Sequence, residues 1–540
     1  MKKIHLYLLS VLSGIILSIS WPMNGFPFLL FVAFVPLLLI EDHLTTHKEE
    51  FHKFSILKFL YLAFFIWSAL TLWWIWNSTI FGGIMALLLN SLFVTVPFWV
   101  YHISKRNFIN TKQASFLLVF YWLAFEYLHL DWDLSWPWMN LGNGFGMYTR
   151  WVQWYEYTGV FGGTLWILII NILIFKLVKK WFEKTITRKY LIMNGSLIAA
   201  FLVFPMIISL FIYKNYEIKG ETAEVIISQP NIDPWKEQYI LPYDEVFART
   251  FNPVEPLITS NTEFVVCPES AIQEDLWHHN IESSRSILHI RKYIEKYPNI
   301  NLIIGASTFR MFGENEPLTP TARKFNDVDN HYEAFNTALF LNKNPGVGMY
   351  HKSKLVPGPE KMPFQRLLRP LQDFAFNLGG TVGSLGLSAE RTVFTSSDGK
   401  FRVPAIICYE SVYGGFVAEF VRNGANLLFI ITNDGWWENS PGHKQHFSFA
   451  PLRAVETRRS LARSANTGIS AFIDQRGDII EKTGYWKPAV LKASLPANTE
   501  LTFYVKYGDY LGRISTFVSL LMILVTVVSS VVSRKNKLRA

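Results

Sequence analysis

Apolar residues are distributed unevenly along the 540-residue chain. Over the first 213 positions they run in long blocks separated by short polar or cationic segments. The blocks cover residues 4–20, 26–41, 57–76, 82–102, 114–130, 157–178 and 190–213, and an eighth covers 511–532. A bilayer core needs about 20 apolar residues of helix, so each block is read as a transmembrane helix, the second being short. The first block has the look of a secretory leader. No small-residue cleavage site follows it and further blocks do, so it is read as a permanent helix.

Between 222 and 500 the pattern changes. Short β-rich runs recur: "AEVIISQ", "EFVVCPES", "NLIIGAS", "TALFLN", "VPAIICYES", "NLLFIITND" and "TGISAFID". Helix-like stretches lie between some of them, as at 281–297 and 444–461. This alternation predicts an α/β domain. The expected organisation is a membrane domain over 1–213 with seven helices, an extracytoplasmic catalytic domain over 214–510, and a last transmembrane helix with a basic tail over 511–540.

Charge supplies the orientation. Lys2 and Lys3 precede the first block, Lys48 and Lys53 follow the second, and Lys105, Arg106 and Lys112 follow the fourth. Six cations from Lys176 to Lys189 follow the sixth, and Arg534, Lys535, Lys537 and Arg539 end the chain. The alternate connections are nearly free of cations. Cations stay in the cytoplasm, so both termini are expected inside and 214–510 outside. The net charge of +9 therefore points to a membrane rather than to nucleic acid, and no phosphate-binding loop, zinc-finger spacing or internal repeat appears.

Three strand ends carry candidate chemistry. "CPES" puts Glu269 just past one strand, "GMYHKSKLVPGPE" puts Lys352 past another with Glu360 further on, and "IICYE" supplies Cys408. A carboxylate can take a thiol proton, and an ammonium can favour a thiolate and then stabilise an oxyanion. Spacing alone is weak support, because any α/β domain of this size offers a Glu and a Lys at strand ends. Cys408 also has two plainer readings, a disulfide with Cys267 or a small buried hydrophobe.

At these residues the sequence resembles the nitrilase superfamily, whose catalytic set is Glu, Lys and Cys in that chain order. "PES", "YHKSKL" and "CYE" fit its surroundings, and "NDGWW" (433–437) and "RAVETRRSLARSANTG" (453–468) resemble the segments after its nucleophile. The flanking apolar blocks narrow the resemblance to that superfamily's membrane branch, the apolipoprotein N-acyltransferases. "FEYLHLDWDLSWPWMNLGN", "QWYEYTGVFGG", "SQPNIDPWKEQY", "KLVPGPEKMPF" and "FYVKYGDYLG" resemble that branch along nearly the whole chain. Two departures stand out. The family usually has Trp where this chain has Cys267, and Phe-Gly where it has Gly358-Pro359.

The resemblance implies a fold, an α-β-β-α sandwich joined to eight membrane spans. It implies an activity, transfer of an acyl chain from a membrane phospholipid to the amine of a diacylglyceryl-cysteine on apolipoproteins, through a thioester. It implies Glu269 as base, Lys352 and the Tyr409 N–H as oxyanion donors, and Cys408 as nucleophile. Glu360, Tyr409, Glu410, Trp235 and Trp436 become supporting residues. No cofactor, metal or nucleic acid is called for, and a monomer in the bacterial plasma membrane is expected. A permanent disulfide would consume the nucleophile, so Cys267 is read as packing.

Other features receive plainer readings. His443 and His446 lack an evident third metal ligand. Arg453, Glu456, Arg459 and Arg463 are read as a structural ion-pair network before a phosphate site. Glu126 within an apolar block is either functional or a helix-packing group. Trp136 and Trp138 fit an interfacial belt. The stretch 361–380 mixes apolar and basic residues and is read as an arm or lid at the lipid surface. Two rival functions are an anchored nitrilase-type amidase, with water as acceptor, and a transporter with an extracytoplasmic domain. One span would anchor a hydrolase, and the blocks hold few charges for a transporter.

Overall fold

The structure is a computed structural model that describes residues 1–22, 25–107, 114–364 and 384–539. It divides into two compact units, one of Met1–Trp76, Gly83–Lys214 and Tyr507–Ala540, the other of Asn77–Gly82 and Asn215–Lys506.

The first unit is helical. Its main helices are α1 (Lys3–Ser20), α2 (Val35–Thr46), α3 (Leu57–Leu72), α4 (Ile80–Asn107), α5 (Leu117–Leu128), α6 (Val160–Phe182), α7 (Arg188–Asn215) and a C-terminal helix, Tyr510–Arg539. Among the described residues seven helical segments are long and apolar enough to cross a membrane. The fifth predicted block falls on a shorter apolar helix, Ala114–Leu128, because the Trp-, Pro- and Gly-rich chain beyond Leu128 breaks into turns. Only Ser209 of α7 is buried, so its apolar surface points outward on all sides. That is the pattern of a lipid-facing helix.

Two buried carboxyl groups inside this unit are tied to protein donors, since hydrocarbon supplies none. Glu126 accepts from the Trp122 indole at 3.1 Å, the Leu141 amide at 2.8 Å and the Thr164 hydroxyl at 2.8 Å. It thereby fixes the irregular segment after α5 against α6, which favours the packing reading of this residue. Glu41 is held by Thr45, Tyr101, His102 and Lys105. The rings of Trp136 and Trp138 stack 5.3 Å apart.

The second unit is a sandwich of two sheets. One sheet holds β1 (Glu221–Gln229), β2 (Thr262–Val266), β3 (Ile272–Trp277), β4 (Asn301–Met311), β5 (Arg323–Lys324), β6 (His331–Leu341), β7 (Gly348–His351) and a late strand, Ala489–Ala497. Its order is Ala489–Ala497, β1, β2, β4, β6, β5, with β3 also on β4 and β7 on β6. A small pair, β8 (Phe394–Thr395) and β9 (Arg402–Val403), precedes the second sheet. That sheet runs β10 (Ala405–Ile407), β11 (Leu428–Thr432), β12 (Leu461–Ala465), β13 (Ala471–Ile473), β14 (Ile479–Lys482) in sequence order.

The sheets meet face to face. The Ser464 hydroxyl donates to the Ser228 carbonyl at 2.9 Å, and Phe264 meets Phe429 edge-on at 5.1 Å. Strands β2 and β11 are buried almost throughout, as parallel strands covered on both faces must be. Helices α8 (Tyr243–Phe251) and α9 (Arg285–Lys296) cover the first sheet, and Phe251, Ile287, Ile290 and Ile294 share a core with Val265, Leu302 and Ile304. Helices α10 (Gly414–Arg422) and α11 (Pro441–Thr457) lie with the second sheet. The layers are therefore α-β-β-α. Parallel pairing sets Ile407 beside Ile431 and Thr432 beside Ala465, so the strand carrying Cys408 ends next to the turn at Asn433.

Candidate active site

Each candidate side chain stands just past a strand. Glu269 lies in the turn after β2, where the Cys267 amide donates to the Ile303 carbonyl at 2.8 Å and the Gly305 amide to the Pro268 carbonyl at 3.0 Å. The chain crosses Gly305 so closely that a Cβ there would sit 2.6 Å from the Glu269 Cα. Only glycine fits that approach. Lys352 is the first residue past β7, its amide donating to the Asn336 carbonyl at 2.8 Å. Cys408 is the first residue past β10 and has φ of +49°. That left-handed conformation is unfavourable for a side-chain-bearing residue and has to be held by its surroundings.

Glu269 and Lys352 are buried, at 7% and 1% exposure. The Lys352 ammonium donates to Glu360 Oε1 at 2.7 Å and reaches Glu269 Oε1 at 3.4 Å. Asn336 Nδ2 joins the two carboxylates, donating to Glu269 Oε1 at 2.7 Å and to Glu360 Oε1 at 3.2 Å. The Asn433 amide donates to Glu269 Oε2 at 2.9 Å, and the Val356 amide to Glu360 Oε2 at 2.9 Å. Burial pulls the Lys352 pKa down, but the Glu269 and Glu360 carboxylates and the nearby Cys408 outweigh it, so it is raised well above the ordinary range and stays an ammonium. Burial pushes the Cys408 thiol up, Glu269 pushes it the same way, and Lys352 opposes them. The resting sulfur is a thiol that needs a base, and the carboxylate that raises it stands close by.

Glu410 ties the cysteine strand to the lysine loop. Its Oε1 accepts from the Tyr350 hydroxyl at 2.7 Å and the Ser353 amide at 2.6 Å, and its Oε2 from the Ile407 amide at 2.8 Å. Burial pushes its pKa up to about 7 against the pull of those donors. Tyr409 is buried and meets Tyr413 edge-on at 5.2 Å. Trp235 is half exposed and packs at right angles to Trp436, ring centres 5.1 Å apart. Gly358 has φ of +95°, a conformation suited to glycine, and its amide donates to the Lys361 carbonyl at 2.9 Å.

Both cysteines are free and buried, and Cys267 lies inside the apolar core beneath α9. The arginines after Cys408 bind protein groups: Arg453 pairs with Glu456 at 2.9 Å, Arg459 donates to the Ala425, Thr457 and Glu500 carbonyls, and Arg463 pairs with Asp434 at 2.7 Å. His443 stacks on Tyr485 at 3.6 Å, whereas His446 faces the Cys408 carbonyl. Residues 365–383, most of the expected lipid-surface arm, lie outside the described residues. A cavity of about 250 Å³ between the first sheet, α8 and α9 is lined by residues such as Phe247, Phe251 and Ile290, and not by Glu269, Lys352 or Cys408.

Asn336, Ser353, Thr432 and the Asn433 amide escape the motif reading. The signal for Asn336 is present in the sequence, as an amide interrupting the apolar run "AFNTALF".

Comparison with known proteins agrees with this architecture. Residues 13–173 match the apolipoprotein N-acyltransferase N-terminal domain family, and residues 247–502 match the carbon-nitrogen hydrolase family. A Chlorobaculum tepidum protein named apolipoprotein N-acyltransferase is 30% identical over 97% of this chain and 96% of its own. Proteins of the same name from Geobacter metallireducens and Thermotoga maritima are 26% and 24% identical, over 93% and 96% of this chain and 92% and 93% of theirs. With near end-to-end similarity across both the helical and the sandwich unit, the chain belongs to the apolipoprotein N-acyltransferase family.

Proposed function

We propose that this enzyme is an N-acyltransferase that moves a fatty acyl chain from a membrane phospholipid to the amine of S-diacylglyceryl-cysteine on apolipoproteins, completing their maturation. The observation that carries this reading is the pairing of a strained, thiol-form Cys408 with a buried carboxylate–ammonium network, in a chain whose relatives bear the name of that activity.

Glu269 takes the Cys408 proton as the sulfur attacks the phospholipid ester carbonyl. Lys352 and the Tyr409 N–H stabilise the oxyanion. The S–C bond forms, the ester C–O bond breaks, and the departing lysophospholipid oxygen takes the proton from Glu269. In the second half the lipoprotein α-amine attacks the thioester, the C–N bond forms, and the C–S bond breaks. Glu269 carries the amine's proton to the leaving thiolate. Glu360 holds Lys352 in place, and Tyr409, Glu410, Trp235 and Trp436 shape the elbow and the substrate approach.

Eight membrane spans, both termini inside and residues 214–510 outside, suit two lipid substrates. Drawing an acyl chain from the bilayer costs about 0.8 kcal/mol per CH₂, so a site held at the surface avoids most of that cost. A monomer suffices, since every proposed group comes from one chain.

The test is intact-protein mass spectrometry after incubation with phospholipid and no acceptor, wild type beside Cys408→Ala. A hydroxylamine-sensitive acyl adduct on wild type alone, discharged by a diacylglyceryl-cysteine peptide, is expected. Discharge by water as fast as by the peptide would instead mark an amidase-like hydrolase. The same absence of adduct in both proteins would overturn the thioester route.

A further inference from the structure

At the turn that carries Cys408 lies a buried polar cluster that the mechanism above does not use. His446, from α11, is 1% exposed. Its Nε2 lies 3.1 Å from the Cys408 carbonyl oxygen and 3.1 Å from Ser411 Oγ. Ser411 Oγ itself donates to the same carbonyl at 2.7 Å. A carbonyl only accepts, and the one hydroxyl proton of Ser411 is already committed to it, so the hydrogen on His446 Nε2 is assigned by these contacts.

The far side of the ring is fastened as well. His446 Nδ1 is 2.9 Å from Asp434 Oδ1, which also accepts from the Thr432 hydroxyl at 2.8 Å. Asp434 Oδ2 accepts from Arg463 at 2.7 Å, and Arg463 reaches the Ile469 carbonyl at 2.6 Å. Trp437 stands edge-on to the imidazole at 5.6 Å. Groups from the end of β11 and from β12 thus fix the ring that α11 supplies, and the ring's other nitrogen meets the carbonyl of Cys408.

That peptide is planar, so its C=O and the next N–H point in opposite directions. Holding the carbonyl inward therefore aims the Tyr409 N–H outward. We propose that His446 is a positioning residue for acyl transfer: together with Ser411 it clamps the Cys408 carbonyl, keeps Cys408 in its left-handed turn, and aims the Tyr409 N–H at the oxyanion. This rests on the thioester route above.

The test compares two reactions of the same sulfur in the full-length protein in detergent. Acylation by phospholipid develops an oxyanion; alkylation by iodoacetamide displaces iodide and develops none. His446→Phe keeps the ring volume and removes the donor, and it should slow acylation about 100-fold, the scale of a lost oxyanion donor. Cys408 alkylation should stay within about twofold of wild type. His446→Gln, whose amide returns an N–H near the Nε2 position, should recover most of the rate, with KM for phospholipid unchanged. Ser411→Ala, a smaller change that serves if His446→Phe does not fold, should slow acylation about 10-fold with the same unchanged alkylation. Parallel loss of acylation and alkylation, or wild-type acylation in both variants, would overturn the positioning role. If wild type itself takes no acyl group while alkylating normally, the thioester route has failed, and the clamp falls with it.

Discussion

Two thiols in this chain occupy nearly equivalent places. Cys267 is the first residue past β2 and Cys408 the first past β10, and each is buried where an apolar strand of the sandwich ends. Burial raises both thiols well above the ordinary range. There the likeness stops. Burial is the cause at Cys267, which shares an apolar core with Val265, Leu302 and Ile294. Cys408 adds a left-handed turn, a carboxylate, an ammonium and a tethered carbonyl. Strand-end position and burial are common to both thiols; what sets Cys408 apart, and supports its proposed role as nucleophile, is the charged groups supplied by other strand ends.

The comparison breaks most sharply if the thiols are removed one at a time. Cys408→Ala should lower acyl transfer to a diacylglyceryl-cysteine peptide by at least about 10³-fold, whereas Cys267→Ala should keep it within about threefold. Loss of activity in Cys267→Ala with unchanged thermal stability would show that the two sites are not separate. Next in size is the ammonium. Lys352→Met should lower acylation by about 10³-fold and should also slow alkylation of Cys408, because the one cation opposing its raised pKa is gone. Glu360→Gln, which removes only the anchor 2.7 Å from Lys352, should cost about 10- to 100-fold, read as single-turnover acylation.

Smaller effects test the frame around the sulfur. Gly305→Ala places a methyl 2.6 Å from the Glu269 Cα, so the turn carrying Glu269 must shift. Acylation should fall about 10-fold while the melting temperature drops by only a few degrees. Glu410 gives a pH signature. Its folded pKa is pushed from 4.5 to about 7, so the native state holds a proton that the unfolded chain releases near 4.5. Stability from this group is full below about 4.5 and is lost as the pH rises through about 7, by at most about 3 kcal/mol. Denaturant titrations of Glu410→Gln should show a flatter stability profile than wild type over that window.

The architecture was legible because it rests on patterns visible in one dimension. Block lengths gave the apolar helices, alternation gave the strands, and the strand-end positions of Glu269, Lys352 and Cys408 followed from where the apolar runs stop. The fifth block was the exception: its helix stops at Leu128 and is shorter than the others, and the tryptophans and Pro137 that follow turn the chain. What stayed hidden was made in three dimensions. Asn336 joins two carboxylates that are 91 positions apart in sequence, from Glu269 to Glu360. The Asn433 amide, past β11 of the second sheet, reaches Glu269, past β2 of the first, because the two sheets pack face to face. His446 looked like half of a metal motif, and its partners are Asp434, Ser411 and a backbone carbonyl, the last a group that no residue spacing encodes.

The shared Asn336 amide has an electrostatic consequence. It is neutral, so it cancels none of the charge of the two carboxyl groups it joins, and Lys352 is the cation that contacts both of them. A lipoprotein amine arrives in water as a cation, whereas a water molecule arrives with no charge. An excess negative charge beside a waiting acyl group gathers the cation and gives the neutral competitor no such advantage. On the proposed route, a negative balance at this cluster would favour the amine, once it gives up its proton, over water, and so an amide over a free fatty acid.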